Sequence, residues 1–240
     1  MRKAPVICTL LLFAGLLHAQ RKLTVMADKP IAEVAPTMWG IFFEDINFAA
    51  DGGLYAEMVK NRSFEFPMPL TGWREIKRGG TGKLLIVNGG SRYARIRVDA
   101  TNNYGLSNEG FRGMGIKTES YHLSIRARSI EGDVKLKAEL VSSSGKTLAA
   151  GTLPQLSPEW KQYDVTLTAG DTSLKGALNV LCSGKGTIDI DLISLFPKNT
   201  WKNRPGGLRA DLVQLLVDMK PGFIRFPGGC IVEGRDLGNR

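Results

Sequence analysis

The stretch MWGIFFEDINFAADGGLYAEMVKNRSFEFP, residues 38–67, decides the fold. An apolar run at residues 39–43 is typical of a buried strand, and it delivers two carboxylates, Glu44 and Asp45, at its C-terminal end. A glycine-containing loop follows, and residues 54–61 then predict a helix. Strand ends that carry polar groups, each followed by a helix, are the pattern expected of an α/β barrel enzyme.

The same order of elements recurs near the other end of the chain. A single apolar stripe at helical spacing predicts a helix, and residues 223–226 predict a short buried strand after it. The loop RFPGGC, residues 225–230, then turns the chain sharply. The stripe consists of Leu208, Leu212, Leu215, Leu216 and Met219.

Residues 69–197, between these two units, have a different character. Apolar and polar residues alternate with period two, as in YARIRV at residues 93–98, and turn residues separate several such runs. This pattern predicts a two-sheet antiparallel sandwich of short strands. A complete (β/α)8 barrel needs about 250 residues, so the fold class that we predict is an incomplete barrel, first strands and helices only, interrupted by an antiparallel β-sandwich.

The start of the chain predicts export. Arg2 and Lys3 precede a short apolar core, and a small residue suited to cleavage, Ala19, follows it. We therefore expect a signal peptide at residues 1–19, a secreted or periplasmic location, and no membrane span once the signal is removed. The remaining boundaries are residues 20–68 for an N-terminal strand (23–27) with the first β/α unit, 69–197 for the sandwich, and 198–240 for the second unit.

Composition excludes several classes of function. The formal net charge is +9, but the basic residues are scattered, so nucleic acid is not an expected partner. Two histidines, one of them in the signal, leave no histidine-based triad or transition-metal site, and no cofactor is expected. Cys182 lies in an apolar run and is predicted to be a buried thiol, although a Cys182–Cys230 bridge stays open. Composition leaves the oligomeric state undetermined.

Three residues are candidates for a site, each with a structural alternative. Only one of Glu44 and Asp45 can face a pocket, where it would accept hydrogen bonds from substrate hydroxyls; the alternative is to cap the following helix or pair with an arginine. Arg225 would brace a carboxylate or form a structural ion pair. Cys230 follows two glycines and would line the pocket or fill space. Trp160 is predicted to pack between the sheets.

Two long motifs carry a family resemblance. GIFFEDINFAADGGLYAEMVKNRSFE, residues 40–65, and GLRADLVQLLVDMKPGFIRFPGGCIVEG, residues 207–234, strongly resemble the α-L-arabinofuranosidases of glycoside hydrolase family 51. The sandwich between them is similar to the galactose-binding-like jelly roll, a carbohydrate-module fold, that is inserted in some members.

The resemblance implies a retaining hydrolase that acts on terminal arabinofuranosyl residues of arabinoxylan or arabinan. Such enzymes use two glutamates about 5–5.5 Å apart, and the family carries both on later barrel strands, beyond Arg240, so this chain holds no catalytic residue. By resemblance Glu44 holds the arabinose hydroxyls, Arg225 lies near the nucleophile, and Cys230 lines the pocket. The rival hypotheses are a carbohydrate-binding module without hydrolytic activity and a scaffold protein.

Overall fold

The structure is a computed structural model that describes residues 23–99 and 104–229. It divides into two units, Met1–Met38 and Trp39–Arg240. The described part of the first unit is exposed and irregular apart from a 3-10 turn at Pro36–Met38. The strand expected at residues 23–27 is not formed, because these residues make no ladder of backbone hydrogen bonds; the amide of Lys29 instead closes a turn on the carbonyl of Met26. The expected signal peptide lies outside the described residues.

The second unit holds an antiparallel β domain and a short parallel strand pair with one helix. The domain is one connected sheet of nine strands within the described residues, which confirms the antiparallel β-rich region. In chain order the elements are β1 (Ile41–Phe42), β2 (Trp73–Lys77), β3 (Gly82–Gly89), β4 (Ser91–Val98), β5 (Tyr104–Asn108), β6 (Met114–Ile116), β7 (Ser120–Val141), β8 (Thr147–Thr152), β9 (Lys161–Thr168), β10 (Ser173–Pro197), α1 (Ala210–Asp218) and β11 (Ile224–Arg225).

Two long strands, β7 and β10, run through the whole domain. They are 22 and 25 residues long and pair antiparallel from Ala177 opposite Val141 to Pro197 opposite Tyr121. The sequence predicted short strands throughout this region, which is wrong for these two. The pair stays continuous because Gly184 lets the backbones approach: a Cβ atom there would lie 2.0 Å from a carbonyl oxygen of the partner strand.

The long pair joins two layers. The first part of β10 pairs with β5 and the later part with β4, while β7 pairs with β9 first and β8 afterwards. One layer therefore has the order β2-β5-β10-β7-β8, and the other has β3-β4-β10-β7-β9. The layers face each other, since a Cβ atom on Gly151 of β8 would lie 2.7 Å from Val165 of β9. Between them lies the core, whose fully buried side chains include Ile96, Leu106, Leu123, Ile125, Leu136, Leu140, Leu167, Ile188 and Ile190.

Three of the predicted flanking elements form. Helix α1 forms at the leucine stripe, and strands β1 and β11 pair in parallel. The predicted burial of both strands is wrong, because Phe42 is 50% exposed, Ile224 is 57% exposed, and α1 has no buried residue. Two strands and one helix have too little apolar surface around them to cover both faces of the pair.

The helix predicted at residues 54–61 is wrong. This segment forms turns and extended chain, in which the amide of Ala56 donates to the carbonyl of Gly207 at 3.2 Å. The amide of Met58 donates to the carbonyl of Leu195 at 3.0 Å. Long-range backbone partners therefore replace the local hydrogen bonds of a helix, a case of tertiary contacts overriding propensity.

Candidate functional site

The parallel pair β1/β11 brings two strand ends to one edge. Phe42 lies opposite Arg225, and the amide of Phe43 donates to the carbonyl of Arg225 at 3.0 Å. Parallel strands end at the same edge, so the residues that follow them, Glu44 on one side and Pro227-Gly228 on the other, are neighbours in space. The geometry therefore brings together two motifs that lie about 180 residues apart in the sequence.

Glu44 packs directly against Gly228. A Cβ atom built on Gly228 would lie 2.8 Å from the Cβ atom of Glu44 and 2.9 Å from its Cγ atom. Gly228 also has φ +113°, a conformation that side chains rarely adopt. Only glycine fits this position, and it holds the Glu44 side chain, which is half-buried, at the strand edge.

The two faces of the strand pair differ in chemistry. On one face the Arg225 guanidinium lies 5.0 Å from the ring centroid of Phe42. Glu44 is two residues after Phe42, and side chains two apart along extended chain share a face. By this alternation Glu44 and Arg225 belong to the same face of the strand pair.

The opposite face is an apolar groove of about 320 Å³. The rings of Phe43 and Phe226 lie 5.7 Å apart within it, and Leu216 of α1 contributes to its wall. Aliphatic and aromatic side chains line the rest of the groove: Ile41, Ala50, Leu54, Tyr55, Leu208 and Ile224. This face is suited to packing, whereas the Glu44 face is suited to polar ligands.

Asp45 has a structural role in its loop. Its Oδ1 atom accepts a hydrogen bond from the amide of Ala50 at 3.0 Å. This contact closes the loop after β1 in the manner of a capping carboxylate, although no helix follows. Of the two adjacent carboxylates, Asp45 therefore orders the loop, whereas Glu44 lies at the strand edge against Gly228.

Glu57, which the sequence placed on a helix without assigning a role, links the segment at residues 54–61 to strand β10 of the sandwich. It is 1% exposed and accepts hydrogen bonds from the amides of Val59 (2.9 Å) and Leu195 (3.0 Å). Its other oxygen meets Ser194 Oγ and, at 3.1 Å, Arg62 Nη1. No short-range sequence signal points to this role, because two of the four donors, Ser194 and Leu195, lie in β10, far from Glu57 in the sequence.

The remaining expected residues have mixed outcomes. Cys230 lies outside the described residues. Cys182 is fully buried with a free thiol, as predicted, and burial raises its pKa to about 12. Trp160 does not pack between the layers; it lies half-buried on the outer surface, in edge contact with Tyr93. Within residues 23–99 and 104–229, no three His, Cys, Asp or Glu side chains converge on a metal position.

Comparison with known proteins identifies relatives of this chain. No protein-family model matches the sequence. An extracellular exo-α-L-arabinofuranosidase of Streptomyces chartreusis is 37% identical over 219 residues, which are 84% of this chain and 25% of that protein. The α-L-arabinofuranosidase 2 of Arabidopsis thaliana is 36% identical over 234 residues, 88% of this chain and 34% of that protein.

A solved structure agrees with the sequence matches. The arabinose-bound structure of a GH51 α-L-arabinofuranosidase superposes with a TM-score of 0.77 at 31% identity, covering 88% of this chain and 37% of that one. The chain matches part of an α-L-arabinofuranosidase. The family resemblance stated from residues 40–65 and 207–234 is thereby confirmed.

The arabinofuranosidase match covers most of this chain but little of its relatives. The chain spans about a quarter to a third of the length of the two curated relatives. Their name describes an activity on α-L-arabinofuranosyl groups, and one of them is named extracellular. Among the residues that the structure describes, no helix has the length and apolar character needed to cross a bilayer.

Proposed function

We propose that this chain is the N-terminal portion of a retaining α-L-arabinofuranosidase that removes terminal arabinofuranosyl residues from arabinoxylan or arabinan. The observation that carries the proposal is the superposition on an arabinose-bound GH51 enzyme over 88% of the chain. The substrate is a plant polysaccharide or its oligosaccharides, and no cofactor takes part. Residues 1–19 are the signal that sends the protein out of the cytoplasm.

The strand pair is the start of a (β/α)8 barrel. In such a barrel the strand ends face the substrate, while one face of each strand packs on helices. The apolar groove, with Leu216 of α1 in its wall, fits the helix side. The face with Glu44 and Arg225 then points into the barrel, and residues 69–197 form a jelly roll inserted between the first and second β/α units. The units are residues 20–68 and 198–240.

Glu44 is the sugar-binding residue of this portion. An ionised carboxylate accepts hydrogen bonds strongly, and two vicinal hydroxyls of a furanose can both donate to it. Arg225, on the same face of the strand pair, supplies a guanidinium whose planar fork can donate hydrogen bonds to a substrate oxygen. Cys230 lies outside the described residues, and its assignment to the sugar pocket rests on the resemblance alone. Neither Glu44 nor Arg225 transfers a proton or forms a glycosyl bond here, since the resemblance places the nucleophile and the acid/base on strands that the 240 residues do not include.

Hydrolysis assays on two proteins of different chain length test the proposal. The purified 240-residue chain should release no nitrophenol from a nitrophenyl α-L-arabinofuranoside, and release would contradict the absence of the catalytic pair. A gene product extended past the last codon should be active. In it Glu44→Gln should lower kcat/KM by about 10²-fold through lost hydroxyl contacts.

Asp45→Asn is the matched control for Glu44→Gln. It removes one charge from the adjacent residue, which bonds its own loop and should leave kcat/KM within about threefold. Equal losses from both variants would show that the local fold, rather than sugar binding, requires these carboxylates. An extended protein with no arabinofuranosidase activity would overturn the proposed function.

A further inference from the structure

A cluster of arginines and aromatic rings covers the outer surface of the β3-β4-β10-β7-β9 layer. Ala94, Ile96 and Ala127 alternate with the β4 and β7 members of the cluster and are fully buried, so alternation along these two strands directs the side chains of Tyr93, Arg95, Arg126 and Arg128 outward. We call the cluster the arginine–aromatic face. It consists of Tyr93, Arg95, Arg126, Arg128, Trp160 and Asp189.

A buried carboxylate fixes two of the arginines. Asp189 has a side chain that is 0% exposed; its Oδ1 atom accepts from Arg95 Nε at 2.7 Å and its Oδ2 atom accepts from Arg95 Nη2 at 3.0 Å. Arg128 Nε donates to the same Oδ2 atom at 2.9 Å. The guanidinium groups of Arg95 and Arg128 are held in fixed orientations, because both donate hydrogen bonds to the same buried carboxylate.

The aromatic rings lie against these guanidinium groups. Arg128 lies 5.8 Å from the ring centroid of Tyr93 and 4.9 Å from that of Trp160, and the two rings meet edge to face at 5.4 Å. Arg126 lies 5.3 Å from the centroid of Trp160. Trp160 is therefore occupied by guanidinium groups, which leaves less of its ring for stacking on a neutral sugar.

Arg126 differs from the other two arginines. It is exposed, and among the residues that the structure describes it makes no side-chain hydrogen bond or ion pair, although it lies in the field of Asp191. The carboxylate of Asp191 already accepts from the amide of Leu192 at 2.7 Å, and burial raises its pKa. The donors of Arg126 are thus available to a ligand while the Trp160 ring supports the guanidinium plane.

We propose that the arginine–aromatic face binds the carboxylate of a uronic-acid residue in an acidic plant polysaccharide, with Arg126 as the main contact. A planar carboxylate matches the fork of a guanidinium, which can donate two parallel hydrogen bonds to it. The three arginines of the face outnumber the two carboxylates beside them, Asp189 and Asp191, so these five residues together carry net positive charge. The formal charge of the whole chain is also positive, +9. The choice of a polysaccharide as the ligand rests on the proposed function. It also refines that function, because it makes the substrate an acidic polysaccharide.

Calorimetric titration of the purified 240-residue chain at low salt tests this inference. Trigalacturonate should bind, whereas neutral arabinotriose should bind at least about tenfold more weakly at this face. Arg126→Gln should weaken trigalacturonate binding by about tenfold or more. Trp160→Ala should weaken it as well, by removing the support of the guanidinium plane.

Arg97→Gln is the matched control. Arg97 lies on the same face of β4, is 68% exposed in its side chain, and pairs with Asp99 rather than with an aromatic ring. Its removal takes away the same charge and should change affinity by less than about twofold. Circular dichroism and the urea midpoint of each variant confirm that it is folded; Arg126 is exposed, so its variant keeps the test valid if Trp160→Ala does not fold.

Several outcomes would overturn the inference. These are no heat with trigalacturonate, equal affinity for the neutral trisaccharide, equal losses in Arg126→Gln and Arg97→Gln, or equally tight binding of single-stranded DNA, which would indicate a general polyanion surface. Because the measurement is binding by a chain that we expect to hydrolyse nothing, its failure leaves the proposed glycosidase function untouched. Loss of that function in the extended protein would in turn leave a positive titration standing as evidence for a binding module.

Discussion

Glu44 and Gly228 lie in van der Waals contact although 184 positions separate them in the chain, so close that a Cβ atom on Gly228 would stand 2.8 Å from the Cβ atom of Glu44. The parallel pairing of Phe42 with Arg225 produces this contact. The position of the Glu44 carboxylate therefore depends on a residue without a side chain in the second motif.

Gly228→Ala should open the strand pair. The new methyl group would meet both the Cβ and Cα atoms of Glu44, and φ +113° is strained for alanine. We expect amide exchange at Phe43, whose N–H bonds the carbonyl of Arg225, to become at least about tenfold faster. Hydrogen-exchange mass spectrometry measures this, and exchange in β7 should not change.

Gly79→Ala is the control for the glycine variant. Gly79 also has a positive φ, +78°, but no atom lies within 4 Å of a Cβ built there. Gly79→Ala should lower the free energy of unfolding by about 1 kcal/mol through backbone strain and leave amide exchange at Phe43 unaltered. Faster exchange at Phe43 in this variant would attribute the effect to global destabilisation instead of the Glu44 contact.

Glu57→Ala should strongly destabilise the second unit. The change leaves the buried amides of Val59 and Leu195 without their acceptor, so we expect the free energy of unfolding to fall by about 2–4 kcal/mol. Urea unfolding monitored by circular dichroism measures the loss. The exposed Glu159, whose carboxylate makes no hydrogen bond in the described part of the chain, gives the control Glu159→Ala, expected within about 0.5 kcal/mol of the parent. Similar values for both would refute the role of Glu57.

Glu139 should make the stability of the sandwich depend on pH. Burial acts to raise its pKa, but hydrogen bonds and charges from Lys137 and Arg78 outweigh burial, and the net pKa is lowered below 4.5. A lowered folded pKa means stability that is present at neutral pH and lost as the pH falls through the folded pKa. Glu139→Gln should therefore destabilise by about 1 kcal/mol at pH 7, a value discounted for the exposure of both cations.

The comparison over pH decides whether this charge matters. The difference between Glu139→Gln and the parent should shrink as the pH falls through the lowered folded pKa of Glu139, because the parent carboxylate then becomes protonated. Urea midpoints from pH 7 downwards measure it, with Glu131→Gln, at an exposed position, as the control. A difference that stays constant with pH would assign the loss to packing alone.

Cys182 should be unreactive until the protein unfolds. Its thiol is fully buried, and burial raises the pKa to about 12, so almost no thiolate forms at neutral pH. Iodoacetamide labelling mapped by mass spectrometry should modify Cys182 only in denaturant. Labelling of the native chain at a comparable rate would contradict the core packing.

Local patterns predicted part of this fold correctly. The leucine stripe predicted α1, and period-two alternation predicted strands such as β4, because both signals depend on one solvent-facing and one core-facing side. Residues 54–61 also resemble a helix locally, but Glu57 and the neighbouring amides find partners in β10 and near Leu208. Helical spacing carries no information about such distant partners.

Trp160 illustrates a second limit of pattern-based prediction. An aromatic residue before a strand is usually drawn into the core, and the sequence predicted this. Arg126 and Arg128 on the neighbouring strand offer it a stacking surface outside instead. Pairing of β7 with β9 creates that surface, and register between distant strands cannot be derived from the residues alone.

The sequence by itself determined the strand of the first motif, the helix and strand of the second, the β-rich segment between them and the likeness to the arabinofuranosidases, since these depend on residue order and local periodicity. Only the tertiary structure decided that Glu44 meets Gly228, that Asp45 orders its own loop, and that β7 and β10 run unbroken through both layers. The physical reason is that these relationships depend on strand pairing and close backbone approach between distant segments, which become defined only when the chain has folded.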